Sequence, residues 1–246
     1  KKSYQDRAAA LWKFLADRYK DECAVAGYDL LNETVLHDGA EPMNRYYRQA
    51  IKAIREVDRK HIIFIEGNRW AQDIECLDDL SDDNLVFGIN FYEPLEFTFN
   101  FVMGLQYPLG SGRKRWDSSF MRRRLEGFAR TARKRGRPLW CGEFGVNVRG
   151  DEAREHIWLR DVLAQFKAFD IHWHYWTFKA IKNYMFPDGV YSYGANDPWV
   201  NRAGPDSGWD SWARLWPTHK KQMIASWRTE VFMPNVAIVK ELKHAA

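Results

Sequence analysis

Short, almost continuous apolar runs alternate with longer amphipathic stretches along this chain. Runs such as 62–65 (IIFI) and 85–89 (LVFGI) lack polar alternation, which is typical of strands buried on both faces of a parallel sheet. In the stretches between them, apolar residues recur every three or four positions, and this spacing predicts helices. Strands are predicted to begin near residues 28, 62, 85, 139 and 171. Helices are predicted over residues 3–21, 42–60, 117–135 and 151–169.

Strands that alternate with helices form βαβ units, whose parallel sheets are either open and doubly wound or closed into a barrel. No glycine-rich phosphate loop of the G-x-G-x-x-G or G-x-x-x-x-G-K-[ST] type follows a predicted strand, so a nucleotide-binding sheet has no support. Polar side chains instead cluster where the predicted strands end, as at 32–33 (NE), 66–67 (EG), 90–92 (NFY), 142–143 (GE) and 176–177 (WT). The carboxyl ends of the strands form the active-site face of a (β/α)8 barrel, and we predict that α/β fold.

The composition excludes several classes of protein. Hydrophobic residues make up 46% of the 246 residues, which is incompatible with a disordered chain. The cysteines number three and lie far apart at positions 23, 76 and 141, which excludes a disulfide-built miniprotein and a zinc ribbon. Charged residues interrupt every apolar run well before the roughly 20 residues of a membrane span, and no apolar region follows residues 1–3 (KKS), so neither a membrane anchor nor a signal peptide is expected in this sequence.

Two glutamates lie at the ends of two different predicted strands. Glu33 closes residues 28–33 (YDLLNE), and Glu143 closes residues 139–143 (LWCGE). Two neighbouring carboxyl groups do not ionise equally, so one tends to stay protonated as an acid while the other is an anion. Cleavage of a glycosidic bond needs such a pair. The alternative is that each glutamate merely pairs with a surface lysine or arginine, and spacing alone does not decide between the two.

At these residues the sequence resembles the cellulase-type glycoside hydrolases of family five, which belong to clan A of the retaining β-glycosidases. Residues 28–33 resemble the acid/base strand of that family, and residues 91–94 (FYEP) its sixth strand. Residues 142–145 (GEFG) resemble its nucleophile strand, and residues 173–179 (WHYWTFK) its eighth. Four concordant motifs in the same order are far more specific than any one of them. The resemblance covers about residues 28–179.

The resemblance implies a role for each matched residue. Glu33 is expected to be the general acid/base and Glu143 the nucleophile. The expected substrate-binding residues are Asn32, which holds the hydroxyl next to the reacting carbon, Asn90, Tyr92, which also hydrogen-bonds the nucleophile, and Trp176, which lies under the sugar. The resemblance further implies a cis peptide bond between residues 176 and 177. It implies carboxyl groups about 5–5.5 Å apart, the separation of a retaining enzyme.

Three departures from the family pattern alter these expectations. Thr34 replaces a proline after the acid/base, and Asn90 replaces a histidine near the catalytic pair. Only one helix precedes residue 28, so the first three strands of the barrel are expected to be missing. We therefore predict a single, N-terminally truncated catalytic domain over residues 1–246, an incomplete barrel of strands four to eight. A chain of this kind is expected to be poorly soluble or inactive when isolated.

The resemblance also implies the partners. The expected substrate is a β-linked polysaccharide or oligosaccharide, with cellulose or another β-glucan before mannan, in a secreted, extracellular and monomeric enzyme without cofactor or metal. No nucleic acid or membrane partner is expected. His172 and His174 have no carboxylate at ligand spacing, so we interpret them as core or cleft histidines, and we interpret Glu66 as structural.

Two other functions compete with hydrolysis. Residues 113–137 carry eleven basic and two acidic side chains, which favours binding of a polyanion or nucleic acid. Met121, Leu125, Phe128 and Ala132 lie on one face of the same segment, however, and a solvated barrel helix explains its charges. The second competitor is a carbohydrate-binding homologue without turnover. Tryptophans 199, 209, 212 and 216 in the predicted loop 187–217 suit stacking on sugar rings.

Overall fold

The described residues form a five-stranded sheet, a smaller three-stranded sheet and several helices. The computed structural model describes residues 2–110, 115–150, 152–182, 184–193 and 209–245. The strands are β1 (Gly27–Asp29), β2 (Ile62–Glu66), β3 (Leu85–Phe91), β4 (Leu139–Phe144), β5 (His172–Tyr175), β6 (Lys179–Ile181), β7 (Tyr191–Tyr193) and β8 (Met233–Pro234). The helices are α1 (Lys2–Tyr19), α2 (Glu41–Arg55), α3 (Asn68–Ala71), α4 (Leu95–Thr98), α5 (Ser118–Lys134), α6 (Glu155–Phe169), α7 (Trp209–Ser226) and α8 (Val236–Ala245), with a 3-10 turn at Thr229–Val231.

The chain divides into two compact units. The first consists of Lys1–Phe91, Arg122–Glu143 and Phe166–His174, and the second of Tyr92–Met121, Phe144–Gln165 and Tyr175–Ala246. None of the helices in the described ranges has the length and apolar character needed to cross a membrane. The prediction of one catalytic domain over the whole chain stays a prediction.

The first unit holds most of the five-stranded sheet, whose strands follow the order β1-β2-β3-β4-β5. β1 pairs in parallel with β2, and β2 with β3, as expected for strands joined by helical crossovers. Strands begin within two residues of all five predicted positions. β1 and β5 are the edge strands of the described sheet, which is therefore an open arc of parallel strands, a partial barrel.

One face of this sheet is buried and the other is partly exposed in β2 and β4, so the prediction that both faces are buried was wrong for those strands. In β3, six of the seven residues are buried, as predicted. Ile63, Ile65 and Phe87 are at most 2% exposed. Residues of the opposite face line a cavity of about 480 Å³; they include Ile62, Phe64, Val86, Trp140, His172 and His174. Both faces are apolar, but the described helices cover only one of them. An apolar run in the sequence does not show whether one face of a strand or both faces will be covered.

The helices of the first unit follow the predicted periodicity. Pro42 lies in the first turn of α2, where its missing N–H costs nothing, although α2 ends at Arg55 and not near residue 60. In α5, the predicted stripe Met121, Leu125, Phe128 and Ala132 is at most 7% exposed. Arg135 and Arg137, just beyond α5, donate to the backbone carbonyls of residues 75, 77, 80 and 82. These guanidinium groups therefore serve the fold, while Arg113 and Lys114 lie outside the described residues.

The second unit contains β6, β7 and β8, a small sheet that the sequence did not predict. β6 pairs in parallel with β7, and β7 antiparallel with β8. The predicted loop over residues 187–217 was wrong in two places, because β7 and the start of α7 lie within it. Trp212 and Trp216 belong to α7, and their rings lie 5.8 Å and 6.1 Å from that of Trp227. Trp199 lies outside the described residues.

A buried tryptophan fixes the segment that follows β3. Trp158 of α6 is fully buried in the second unit, and its indole N–H donates to the carbonyl of Glu93 at 3.0 Å. Buried indoles need such a partner. The contact holds the backbone next to Tyr92, one of the predicted substrate-binding residues.

Candidate active site

Acidic side chains from three strands and one loop lie close together in the first unit. Asp29 belongs to β1, Glu66 ends β2 and Glu143 lies in β4. Glu33 lies in the loop four residues after β1. The carboxyl groups of Asp29, Glu33 and Glu143 lie near enough to Glu66 to raise the pKa of the Glu66 carboxyl group. The two predicted catalytic glutamates therefore belong to one cluster of four carboxyl groups.

Glu33 is held at both its backbone and its side chain. Its backbone N–H donates to Oε2 of Glu66 at 2.7 Å. Its Oε1 accepts a hydrogen bond of 3.0 Å from Nδ2 of Asn90. Asn90 is 1% exposed, and the sequence placed it among the substrate-binding residues. In the structure, Asn90 contacts the predicted acid/base directly, at the position where the family pattern has a histidine.

The surroundings of Asn90 leave one of its polar atoms without a partner. Its Oδ1 is buried and has no hydrogen-bond partner among the described residues. Gly142 lies beside this oxygen, because a Cβ placed on Gly142 would lie 3.3 Å from it and 2.8 Å from the ring of Trp140. A side chain at position 142 would therefore crowd both neighbours. The glycine before Glu143 leaves room for the asparagine that orients Glu33.

Burial changes the proton affinity of two carboxyl groups in the cluster. Burial raises the pKa of Asp29 to about 7, with a further contribution from the charge of Glu143. Burial also raises the pKa of Glu66 to about 8, and the charges of Asp29, Glu143 and Glu33 raise it too. The hydrogen bond from the Glu33 N–H acts in the opposite direction and lowers it. At neutral pH, Glu66 is mostly neutral and Asp29 is partly so. The cluster thus carries fewer than four negative charges, which limits repulsion between its members.

The other predicted site residues lie as follows. Asn32 is exposed in the loop after β1. Tyr92 is 8% exposed and Trp176 is 48% exposed, and both belong to the second unit. The peptide bond between Trp176 and Thr177 is cis, which confirms that expectation. The hydrogen bond from Tyr92 to Glu143 and the separation of the two catalytic carboxyl groups stay predictions.

Sequence reasoning missed two members of the carboxyl cluster. Asp29 lies inside a predicted strand, and its Oδ1 is buried without a hydrogen-bond partner in the described structure. A charged residue within an apolar run was the available signal, since such residues are rarely buried unless they have a task. The interpretation of Glu66 as structural did not predict its place beside Glu33 and Glu143. In the described residues, no group of three or more His, Cys, Asp or Glu side chains is arranged to hold a metal ion.

Comparison with known proteins finds one family model and several named relatives. The family model described as cellulase, glycosyl hydrolase family 5, matches residues 1–181. Endoglucanase C of Acetivibrio thermocellus is 26% identical over 206 residues, which cover 71% of this chain and 60% of that protein. The endoglycoceramidase of Hydra vulgaris is 40% identical over 79 residues, which cover 27% of this chain and 15% of that protein.

A solved structure shows the same fold. The endoglucanase Cel5A from the hyperthermophilic Thermotoga maritima superimposes with a TM-score of 0.65 at 29% identity, over 77% of this chain and 62% of that one. This chain therefore spans about 60% of the length of Endoglucanase C and of Cel5A.

Proposed function

This chain belongs to glycosyl hydrolase family 5, and from that premise we propose that it hydrolyses β-glycosidic bonds in a polysaccharide. A β-glucan is the first candidate, because Endoglucanase C and Cel5A are both named endoglucanases. Mannan and other β-linked glycans are the alternatives. The observation that carries the proposal is the carboxyl cluster. Glu33 and Glu143 both raise the pKa of Glu66, and Asn90 donates a hydrogen bond to Glu33.

The proposed reaction uses the two glutamates in turn. Glu33 donates a proton to the leaving oxygen while Glu143 attacks the anomeric carbon, so that the glycosidic C–O bond breaks and a covalent glycosyl-enzyme forms. Glu33 then takes a proton from a water molecule that attacks the same carbon and frees Glu143. Two inversions give net retention. A carboxyl separation of about 5–5.5 Å leaves no space for water in the first step.

The hydrogen bond from Asn90 supports this division of roles. An amide N–H that points at Oε1 of Glu33 fixes the carboxyl plane without adding a titratable group. A histidine at this position would itself exchange a proton between pH 5 and pH 8. Asn90 therefore adds no titratable group to the cluster of Glu33, Asp29, Glu66 and Glu143.

The stereochemistry of the first product tests the proposal. The full-length protein is expected to release the β-anomer first from a soluble β-glucan oligosaccharide, with the α-anomer appearing only by mutarotation. Proton NMR of the anomeric signals during the first minutes measures this. Early α-anomer would contradict the retaining mechanism. Binding of the oligosaccharide without any product would instead identify a carbohydrate-binding homologue.

An exposed aromatic cluster in the second unit favours a second candidate, a lipid-linked glycan. The cluster consists of Phe99, Phe101 and Phe186, whose ring centroids lie 5.3 to 6.0 Å apart. Phe101 and Phe186 are each 51% exposed. Phe99 also contacts the ring of Tyr92 at 5.0 Å, so the cluster adjoins a predicted substrate-binding residue.

Backbone hydrogen bonds hold this cluster in place. The N–H of Phe186 donates to the carbonyl of Phe99 at 3.1 Å, and Nδ2 of Asn100 donates to the carbonyl of Tyr184 at 2.7 Å. Contiguous exposed apolar surface of this kind marks a binding site more often than a scattered residue does. An alkyl chain would cover this apolar surface, and the Hydra relative is named an endoglycoceramidase.

A pair of substrates distinguishes the two candidates. If the aromatic cluster binds lipid, kcat/KM for octyl β-cellobioside exceeds that for methyl β-cellobioside by about tenfold or more, since each buried CH2 contributes about 0.8 kcal/mol. Phe186→Ser is then expected to abolish the difference, while Val236→Ser, which changes an exposed apolar residue of α8, preserves it. Equal kcat/KM values for both substrates in the wild type would rule out the lipid candidate.

A further inference from the structure

The backbone of Glu33 has a conformation that needs support. Its φ is +50°, in the left-handed region, which non-glycine residues rarely adopt and where Cβ crowds the backbone. Such a conformation is strained and persists only where surrounding contacts enforce it. The direction of the Glu33 side chain therefore depends on what holds this one residue.

The segment that ends β2 supplies the support. Oε2 of Glu66 accepts the backbone N–H of Glu33 at 2.7 Å. Two residues later, Asn68 exchanges two hydrogen bonds with the backbone of Leu36, at 2.8 Å and 2.9 Å. The N–H of Trp70 donates to the carbonyl of Thr34 at 3.4 Å. The loop that carries Glu33 is thus fastened to β2 and the residues after it, and Glu66 provides the contact to Glu33 itself.

Glu66 is in turn held firmly. It is 1% exposed, so water does not compete for its carboxyl oxygens. The hydroxyl of Tyr47 donates to the Glu66 carbonyl at 2.8 Å and accepts the Glu66 N–H at 3.2 Å. A Cβ on Gly88 would lie 2.9 Å from Cγ of Glu66, so the glycine leaves the space that the Glu66 side chain occupies. Because these contacts hold Glu66 in place, its carboxyl group can orient the backbone of Glu33.

We propose that Glu66 is a positioning residue for Glu33, whose carboxyl group accepts the Glu33 N–H and keeps the strained loop in the conformation that aims the Glu33 side chain. The catalytic consequence rests on the proposed function, because it needs Glu33 to be the acid/base. The positioning itself does not. It is a property of the fold that is measurable without substrate.

The charge state of Glu66 determines how it works. Its raised pKa of about 8 follows first from burial and then from Asp29, Glu143 and Glu33, while Tyr47 faces it from α2. Below pH 8, Glu66 is therefore neutral and accepts the N–H without placing a further negative charge beside Glu33 and Glu143. Above pH 8 it ionises, and the added charge disturbs both. Glutamine imitates the neutral form because it keeps the acceptor oxygen and cannot ionise.

NMR of the wild type and two variants tests the positioning directly. The Glu33 amide proton is expected downfield and protected from exchange in the wild type and in Glu66→Gln. In Glu66→Met, which removes the acceptor at similar volume, it is expected to move upfield and lose protection. The 13C signal of the Glu66 carboxyl is expected to titrate above pH 7. An unprotected Glu33 amide in the wild type would overturn the proposal even if Glu66→Met does not fold, whereas a Glu66 carboxyl that titrates near pH 4.5 would contradict only its neutral state below pH 8.

Kinetics then separate positioning from a general loss of structure. In Glu66→Met, kcat on a β-glucan oligosaccharide is expected to fall about 10²-fold, as for a catalytic group misplaced by about 1 Å, with KM little changed. In Glu66→Gln, kcat should match the wild type below pH 7 and diverge above pH 8. Equal losses in both variants would contradict the acceptor role. If the wild type hydrolyses nothing, the proposed function fails while the amide measurements still decide the positioning.

Discussion

Replacement of Glu143 by glutamine is expected to abolish turnover of β-glucan by the full-length protein. The amide is uncharged and is a poor nucleophile, so the bond to the anomeric carbon does not form. Loss of a nucleophile costs about 10⁴-fold or more in kcat in enzymes where catalytic groups act as a unit. The measurement is the initial rate of reducing-sugar release, compared with the wild type at the same protein concentration.

Two controls make this result specific to the nucleophile. Glu96→Gln makes the same chemical change at an exposed carboxylate in α4 and is expected to leave kcat unchanged. Glu143→Ala with added azide is expected to recover cleavage of an aryl β-glycoside and to give the α-glycosyl azide, because azide occupies the space of the carboxylate. Normal turnover by Glu143→Gln, or a β-azide product, would show that Glu143 is not the nucleophile.

Replacement of Glu33 by glutamine is expected to affect substrates according to their leaving groups. Loss of a general acid costs about 10²–10⁴-fold where the leaving oxygen needs a proton, as in a polysaccharide. A dinitrophenyl leaving group needs none, so the first step on that substrate is expected to proceed at close to the wild-type rate. A rapid burst of the phenolate followed by slow release of sugar measures the two steps separately.

The leaving-group comparison also excludes a change in binding. A substitution that only weakened binding would slow both substrates through KM. Azide is expected to accelerate the slow step in Glu33→Gln, because it attacks the glycosyl-enzyme without a general base. Equal losses of kcat on the polysaccharide and on the dinitrophenyl glycoside would contradict the acid/base role of Glu33.

The periodicity of the sequence placed the main elements of the first unit correctly. Continuous apolar runs gave the starts of β2, β3 and β4, since strand length and β-branched content are local properties of the chain. The small sheet of β6, β7 and β8 was missed for the opposite reason. β7 has only three residues and pairs with β8 about 40 positions later, so no local pattern marks it. The exposed face of the large sheet was missed because an apolar strand looks the same whether one layer covers it or two.

The candidate site divides in the same way. The sequence by itself determined that Glu33 and Glu143 end two different apolar segments and that Asn90 directly follows a third apolar segment, residues 85–89. Only the tertiary structure showed that Asn90 binds Glu33, that Asp29 and Glu66 join the two glutamates, and that Glu66 holds the Glu33 backbone. Proton affinity depends on the water and the charges that surround a carboxyl group. In this protein those surroundings come from β1, β2 and β4, which are far apart in the sequence and meet only in the folded sheet.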